Sequence, residues 1–209
     1  MKRLLFAAGA ALCIAGGAHA SITPILTSVT ADGSNFLFTY SATLSGDEGV
    51  TAGSQLVIMD FAGYVDGSIS APSADVTTSV VDTANFDVAT GGVQVNPMFS
   101  DDPTIPDLVF TYNGPDFQTT GGPFTPITVT LTAESTLGGT TQDGFSSRAI
   151  SNSGIGTVGS ASFNNGAVGV AAAQALPEPA SWALLIVGFG GIGGLLRAKR
   201  RPEAGSSLA

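Results

Sequence analysis

Along most of this chain apolar and polar residues alternate with period two, and clusters of Gly, Asn, Asp and Pro interrupt the alternation. Residues 35–44 are the clearest case: Phe36, Phe38, Tyr40, Ala42 and Leu44 fall on one face of an extended strand. The pair Asp32-Gly33 precedes it as a turn signal, so residues 25–30 are predicted to fold back as its antiparallel partner. Residues 56–61 form a short, buried-type run ended by Gly63, and Asp66-Gly67 marks another turn. Shorter strands are predicted at 76–81, 86–88 and 93–95, and a further one at 108–112, closed by Asn113-Gly114-Pro115. Residues 127–132 alternate cleanly, with Thr128, Thr130 and Thr132 on the exposed face. The last strands are expected at 145–150 and 158–163, with Asn165-Gly166 leading into a short one at 167–171. Residues 96–126, rich in Pro, Gly and Asp, are expected as long surface loops around one strand. Helical periodicity is nearly absent and no repeat emerges, so the body is expected to be all-β, an antiparallel β-sandwich-like domain.

The two ends break this pattern. Met1-Lys2-Arg3 is a basic start, residues 4–17 are apolar, and Ala18-His19-Ala20 is an A-x-A cleavage site. This is a signal peptide over residues 1–20, with Ser21 as the first mature residue and signal peptidase and the export machinery as partners. Cys13 does not make a lipoprotein signal, because Ala10 stands where a leucine is wanted. At the other end, residues 182–196 are all apolar or Gly. Such a run sits at or below the lower limit of a spanning helix, about 17–25 residues. It would be held by Trp182 at one interface and by Arg197, Lys199, Arg200 and Arg201 at the other, which the positive-inside rule puts in the cytoplasm. Gly188, Gly190 and Gly194 lie within it and weaken it as a permanent anchor. Pro177 and Pro179 predict an extended, accessible stalk before it. The expected organisation is therefore signal peptide (1–20), β-sandwich ectodomain (21–170), stalk (171–180), transmembrane segment (181–196) and basic cytoplasmic tail (197–209).

Pro177-Glu178-Pro179, Trp182-Ala183, Gly188-Phe189-Gly190 and the basic cluster, in that order, resemble the PEP-CTERM sorting signal in its PEPxxWA form. The resemblance covers roughly residues 177–201, and its motif order is specific. It implies a Gram-negative bacterium, an inner-membrane intermediate, and cleavage near Glu178 by an exosortase that passes the protein to the cell envelope. The same module is also described as the C-terminal domain of ice-binding proteins.

Setting the two ends aside changes the composition. The single Cys, His and Trp all lie in them, and residues 21–176 keep fourteen acidic residues against Arg148 alone, a formal charge of −13. That charge disfavours nucleic-acid binding, which needs a basic footprint, and no nucleic-acid partner is expected. Without His, Lys or Cys in this body to activate a nucleophile, the residue types disfavour Ser- or Cys-type catalysis as well. Acids alone leave a paired-carboxylate glycan hydrolase as a third-ranked reading. Asp60 adjoins an apolar run and Asp82 and Asp87 flank Phe86, but no spacing marks a pair. Calcium is the one cofactor to weigh, with Asp101, Asp102 and Asp107 as candidate ligands and Asp47-Glu48 as a second acidic pair. Neither group matches an EF-hand, and solvated loop charge is the expected state of both. Phe36, Phe38 and Tyr40 read as core, whereas Tyr64, Phe99, Tyr112 and Phe117 are open to either core or surface. Threonines on one face of one strand are too few for an ice-binding surface, and β propensity explains them. The expectation is a non-enzymatic surface protein of structural or adhesive type, associated with the envelope or exopolysaccharide of a biofilm. The alternative is a binding module for calcium, glycan or ice.

Overall fold

The computed structural model describes residues 21–82, 101–153 and 157–173, together with Ile186, Val187 and Phe189. The described body is all-β and antiparallel: β1 (Ile22–Asp32), β2 (Asn35–Leu44), β3 (Glu48–Gly49), β4 (Gln55–Ile58), β5 (Val76–Val81), β6 (Asp107–Tyr112), β7 (Ile127–Ser135), β8 (Gly139–Ser151) and β9 (Ala161–Ala172).

The first hairpin follows from the alternation. Asp32 pairs with Asn35, so the two-residue loop is Gly33-Ser34, one position later than the expected pair, and Gly33 supplies φ 61°. Leu26 and Val29 are three residues apart yet both pack on the core, which strict period two forbids. A bulge between Leu26 and Ser28 absorbs the extra residue, and the Thr27 hydroxyl donates to Thr39 O at 2.9 Å.

Strands β1-β2-β7 make the smaller sheet. In the larger one, Arg148 of β8 pairs with Gln55 on one side and Phe163 on the other. The strands therefore run β9-β8-β4-β6-β5, with β3 on the same flank of β8 as β4. The inward residues of both sheets form one cluster that includes Phe38, Tyr40, Leu56, Phe61, Phe110, Leu131, Phe145 and Val170. Phe38 and Phe61 meet edge to face, centroids 5.1 Å apart at 81°. The buried Tyr40 hydroxyl donates to Gly169 O at 3.0 Å, tying β2 to β9. Val57, Met59 and Val109 form a second small cluster on the opposite face of the larger sheet, which is why residues 56–59 read as continuously apolar.

Two strands differ from expectation. β8 begins at Gly139, since polar residues 140–143 pair in register with β9. β9 is one unbroken strand, and Asn165-Gly166 is no turn: Asn165 faces Ser146 and Gly166 faces Phe145. A Cβ on Gly166 would come within 2.6 Å of the Phe145 ring, so the glycine serves packing rather than reversal. Segments 86–88 and 93–95 lie outside the described residues. Of the expected loop region, 101–126 carries β6 and is otherwise irregular. The chain divides into two compact units, residues 1–173 and 174–209. In the second, Ile186, Val187 and Phe189 are helical and about 70% exposed. Among the described residues no helix is long and apolar enough to cross a membrane.

Candidate functional site

Three carboxylates converge where β4 ends and β6 begins. Asp60, Asp101 and Asp107 each bring an oxygen within 4.8 Å of the others. Asp60 follows β4 with φ 53°, a left-handed conformation uncommon outside glycine. That turn aims its N–H at Asp107 Oδ1 (2.9 Å), while its own Oδ1 accepts from the Asp102 N–H (3.1 Å). The flanks are pinned by Met59 N–H to Gly144 O (2.9 Å) and Phe61 N–H to Pro106 O (2.8 Å). Asp107 is fully buried and Asp60 is 6% exposed.

The electrostatics follow from that crowding. Burial pushes the Asp60 pKa up to about 6; the Asp102 N–H opposes this, and the charges of Asp143, Asp107 and Asp101 add to it. Asp101 is raised by burial and then by Asp102 and Asp143, and its Oδ1 is buried without a hydrogen-bond partner among the described residues. Asp102 behaves oppositely. Its Oδ1 accepts from the Thr104 hydroxyl (2.7 Å) and N–H (3.0 Å), which holds its pKa below the usual value. Such a group of acids is relieved either by retaining a proton or by a hard cation with oxygen ligands. The folded Asp60 holds its proton more tightly than its ordinary pKa of 3.8. Its contribution to stability is therefore full below about pH 4 and lost as pH rises to about 6.

Two of the three expected calcium ligands, Asp101 and Asp107, are thus brought together, and Asp102 contributes its N–H rather than its carboxylate. Asp60 completes the group in place of it. The expectation of solvated loop charge fails for Asp107 and for Glu48, whose side chain is fully buried on β3. The reason lies in the turn after β8, where the Asn152 N–H binds Asp47 O (2.9 Å) and its side-chain amide binds Glu48 O (2.8 Å), closing over the pair.

Among the aromatic residues, Tyr64 packs on Phe61 and the Tyr112 hydroxyl donates to Pro115 O at 2.7 Å. Phe117 stays 41% exposed, and Phe99 lies outside the described residues. The threonine face is wider than one strand: Thr128, Thr130 and Thr132 stand opposite Thr43, Ser41 and Thr39 of β2, and the Thr43 and Thr128 hydroxyls are 2.9 Å apart. Ser21, the expected mature start, is buried and its carbonyl accepts from the Ser45 N–H at 3.3 Å. Ala18 and Ala20 lie outside the described residues, as do Pro177, Glu178, Pro179, Trp182, Ala183, Gly188, Gly190, Gly194, Arg197, Lys199, Arg200 and Arg201.

Comparisons with protein-family models, with curated proteins and with solved structures find no match for this chain.

Proposed function

We propose that this chain is an exported, non-enzymatic envelope protein of structural or adhesive type, sorted through a PEP-CTERM tail. Its ectodomain is read as a β-sandwich, preceded by a signal helix and followed by a single membrane helix. The observation that carries this reading is the ordered run from Pro177-Glu178-Pro179 through Trp182 to Arg197, Lys199, Arg200 and Arg201. The division of the chain into compact units between residues 173 and 174 supports it, since a removable address is expected to be a unit of its own. The acidic, cysteine-free body is suited to an extracellular matrix and repels anionic membrane surfaces.

The test is the intact mass and both terminal sequences of the protein recovered from the cell envelope. The expected chain starts at Ser21 and ends near Glu178, and Glu178→Ala is expected to leave the C-terminal segment attached. A wild-type chain running to Ala209 would make the tail a permanent anchor and remove the exosortase from the account.

A second reading, a calcium-binding module, is favoured specifically by the grouping of Asp60, Asp101 and Asp107. On this reading calcium replaces the retained proton. Near neutral pH, calcium in hundredfold excess over its Kd should raise Tm by roughly 5–10 °C. Asp60→Asn should abolish that shift and, without calcium, flatten the loss of stability between about pH 4 and 6. No calcium shift in the wild type, with the pH slope intact, would leave the triad as a proton-sharing structural feature.

A further inference from the structure

The inward positions of β2 run Phe38, Tyr40, Ala42, Leu44, so at Ala42 the filling of the core drops from a ring to a methyl group. At that level the two sheets do not close. They leave a half-open pocket of about 290 Å³ between them, with Ala42, Leu56, Phe110 and Leu131 as a buried floor. Protein interiors are otherwise close-packed, and apolar wall left open to water forgoes the gain of burial. Water is a poor filling, because it needs several polar partners. The lining offers few: Ser54 Oγ already accepts from the Thr51 N–H (3.1 Å), and the Tyr112 hydroxyl is committed to Pro115 O.

We propose that this cavity is a binding site for a small apolar molecule whose exposed end is neutral or cationic. The size lies at the lower end of small-molecule sites, roughly 300 Å³ and upward. A dry cavity of about half that volume already takes up benzene. Phe117 and Val129, 41% and 38% exposed, stand at the rim and give a ligand apolar contact on its way in. The polarity of the entering molecule is set by charge at the mouth. Asp75 lines the rim and is exposed, and the Tyr112 phenol, held up first by burial, is raised further by the negative charges of Asp75 and Asp116. Among the described residues no lysine or arginine lines the cavity. Arg148 pairs with Gln55, and both stand on the sheet face opposite to Leu56. Anionic amphiphiles such as fatty-acid carboxylates are therefore disfavoured, and amines or uncharged molecules favoured.

The site is tested on the mature chain with N-phenyl-1-naphthylamine, an uncharged fluorophore that brightens on leaving water. Saturable uptake with one probe per chain is expected, displaced at least tenfold more effectively by decylamine than by decanoate. Ala42→Leu, which fills the floor, should weaken the probe at least tenfold while Tm holds or rises. If that variant does not fold, Val129→Trp at the rim should weaken uptake to the same degree. Asp75→Lys should remove the preference for the amine without removing binding. Absence of saturable uptake would mean that the space is filled by the chain itself or by a second copy, and would overturn the proposal. So would uptake unchanged in Ala42→Leu and Val129→Trp, or equal displacement by the amine and the carboxylate.

Discussion

Phe38→Ala is expected to cost about 3–5 kcal/mol, a large share of the roughly 5–15 kcal/mol that holds a domain of this size together. Phe38 is fully buried on the central strand of the smaller sheet, and its ring meets Phe61 from the opposite layer. Truncation removes apolar surface from both sheets at once and leaves a void between two rigid ladders. Neither ladder can move inward alone, because β2 is hydrogen-bonded on both sides. The loss should appear as a lower denaturant midpoint at unchanged slope. Phe124→Ala is the control: at 38% exposure it should change stability by about 0.5 kcal/mol or less. A loss below about 1 kcal/mol for Phe38→Ala would mean that the two sheets do not share one packed interior.

The second large effect is expected at Gly169, where β9 passes against β1. A Cβ there would stand 2.8 Å from Leu26 Cδ2 and 3.3 Å from its Cβ, so Gly169→Val drives the two strands apart. Overpacking of this kind costs about 1–3 kcal/mol. The displaced strand also takes with it the carbonyl that accepts the Tyr40 hydroxyl, and a buried phenol left without a partner adds about 1–3 kcal/mol. Together these should lower Tm by roughly 5 °C or more. Tyr40→Phe removes the hydroxyl and keeps the ring, so it gives the net worth of that hydrogen bond without an unpaired phenol. If Gly169→Val cost no more than Tyr40→Phe, the steric part of the argument would fail.

The sequence carries some of this directly. Residues 35–44 are legible because their alternation is strict and only one register buries Phe38, Tyr40 and Ala42 together. Asn165-Gly166 misleads because a turn pair is a local signal, while the reason for Gly166 is the Phe145 ring on another strand. The carboxylate group is hidden for a similar reason. Asp60 and Asp107 are separated by the whole excursion through β5, and no spacing rule brings them together. The available hint was an acid directly after the apolar run 56–59, where the chain has not yet reached the surface. Glu48 gave no such hint, because the segment that covers it follows β8, about a hundred residues later. The proposed sorting motif is the reverse case, since it rests on residue order alone.

β9 has a mechanical consequence. It is the last strand among the described residues, paired with β8 along its whole length from Ala161 to Ala172. Any pull on the chain beyond Ala173 is applied to β9 before it reaches the rest of the body. Its inward residues Val168 and Val170 belong to the main core, so detaching it exposes apolar surface as well as breaking the ladder. Survival under load is then a matter of how fast this strand unzips rather than of the equilibrium stability of the domain. A protein held at a surface by its C-terminal end and dragged by flow would yield first at the β8–β9 seam.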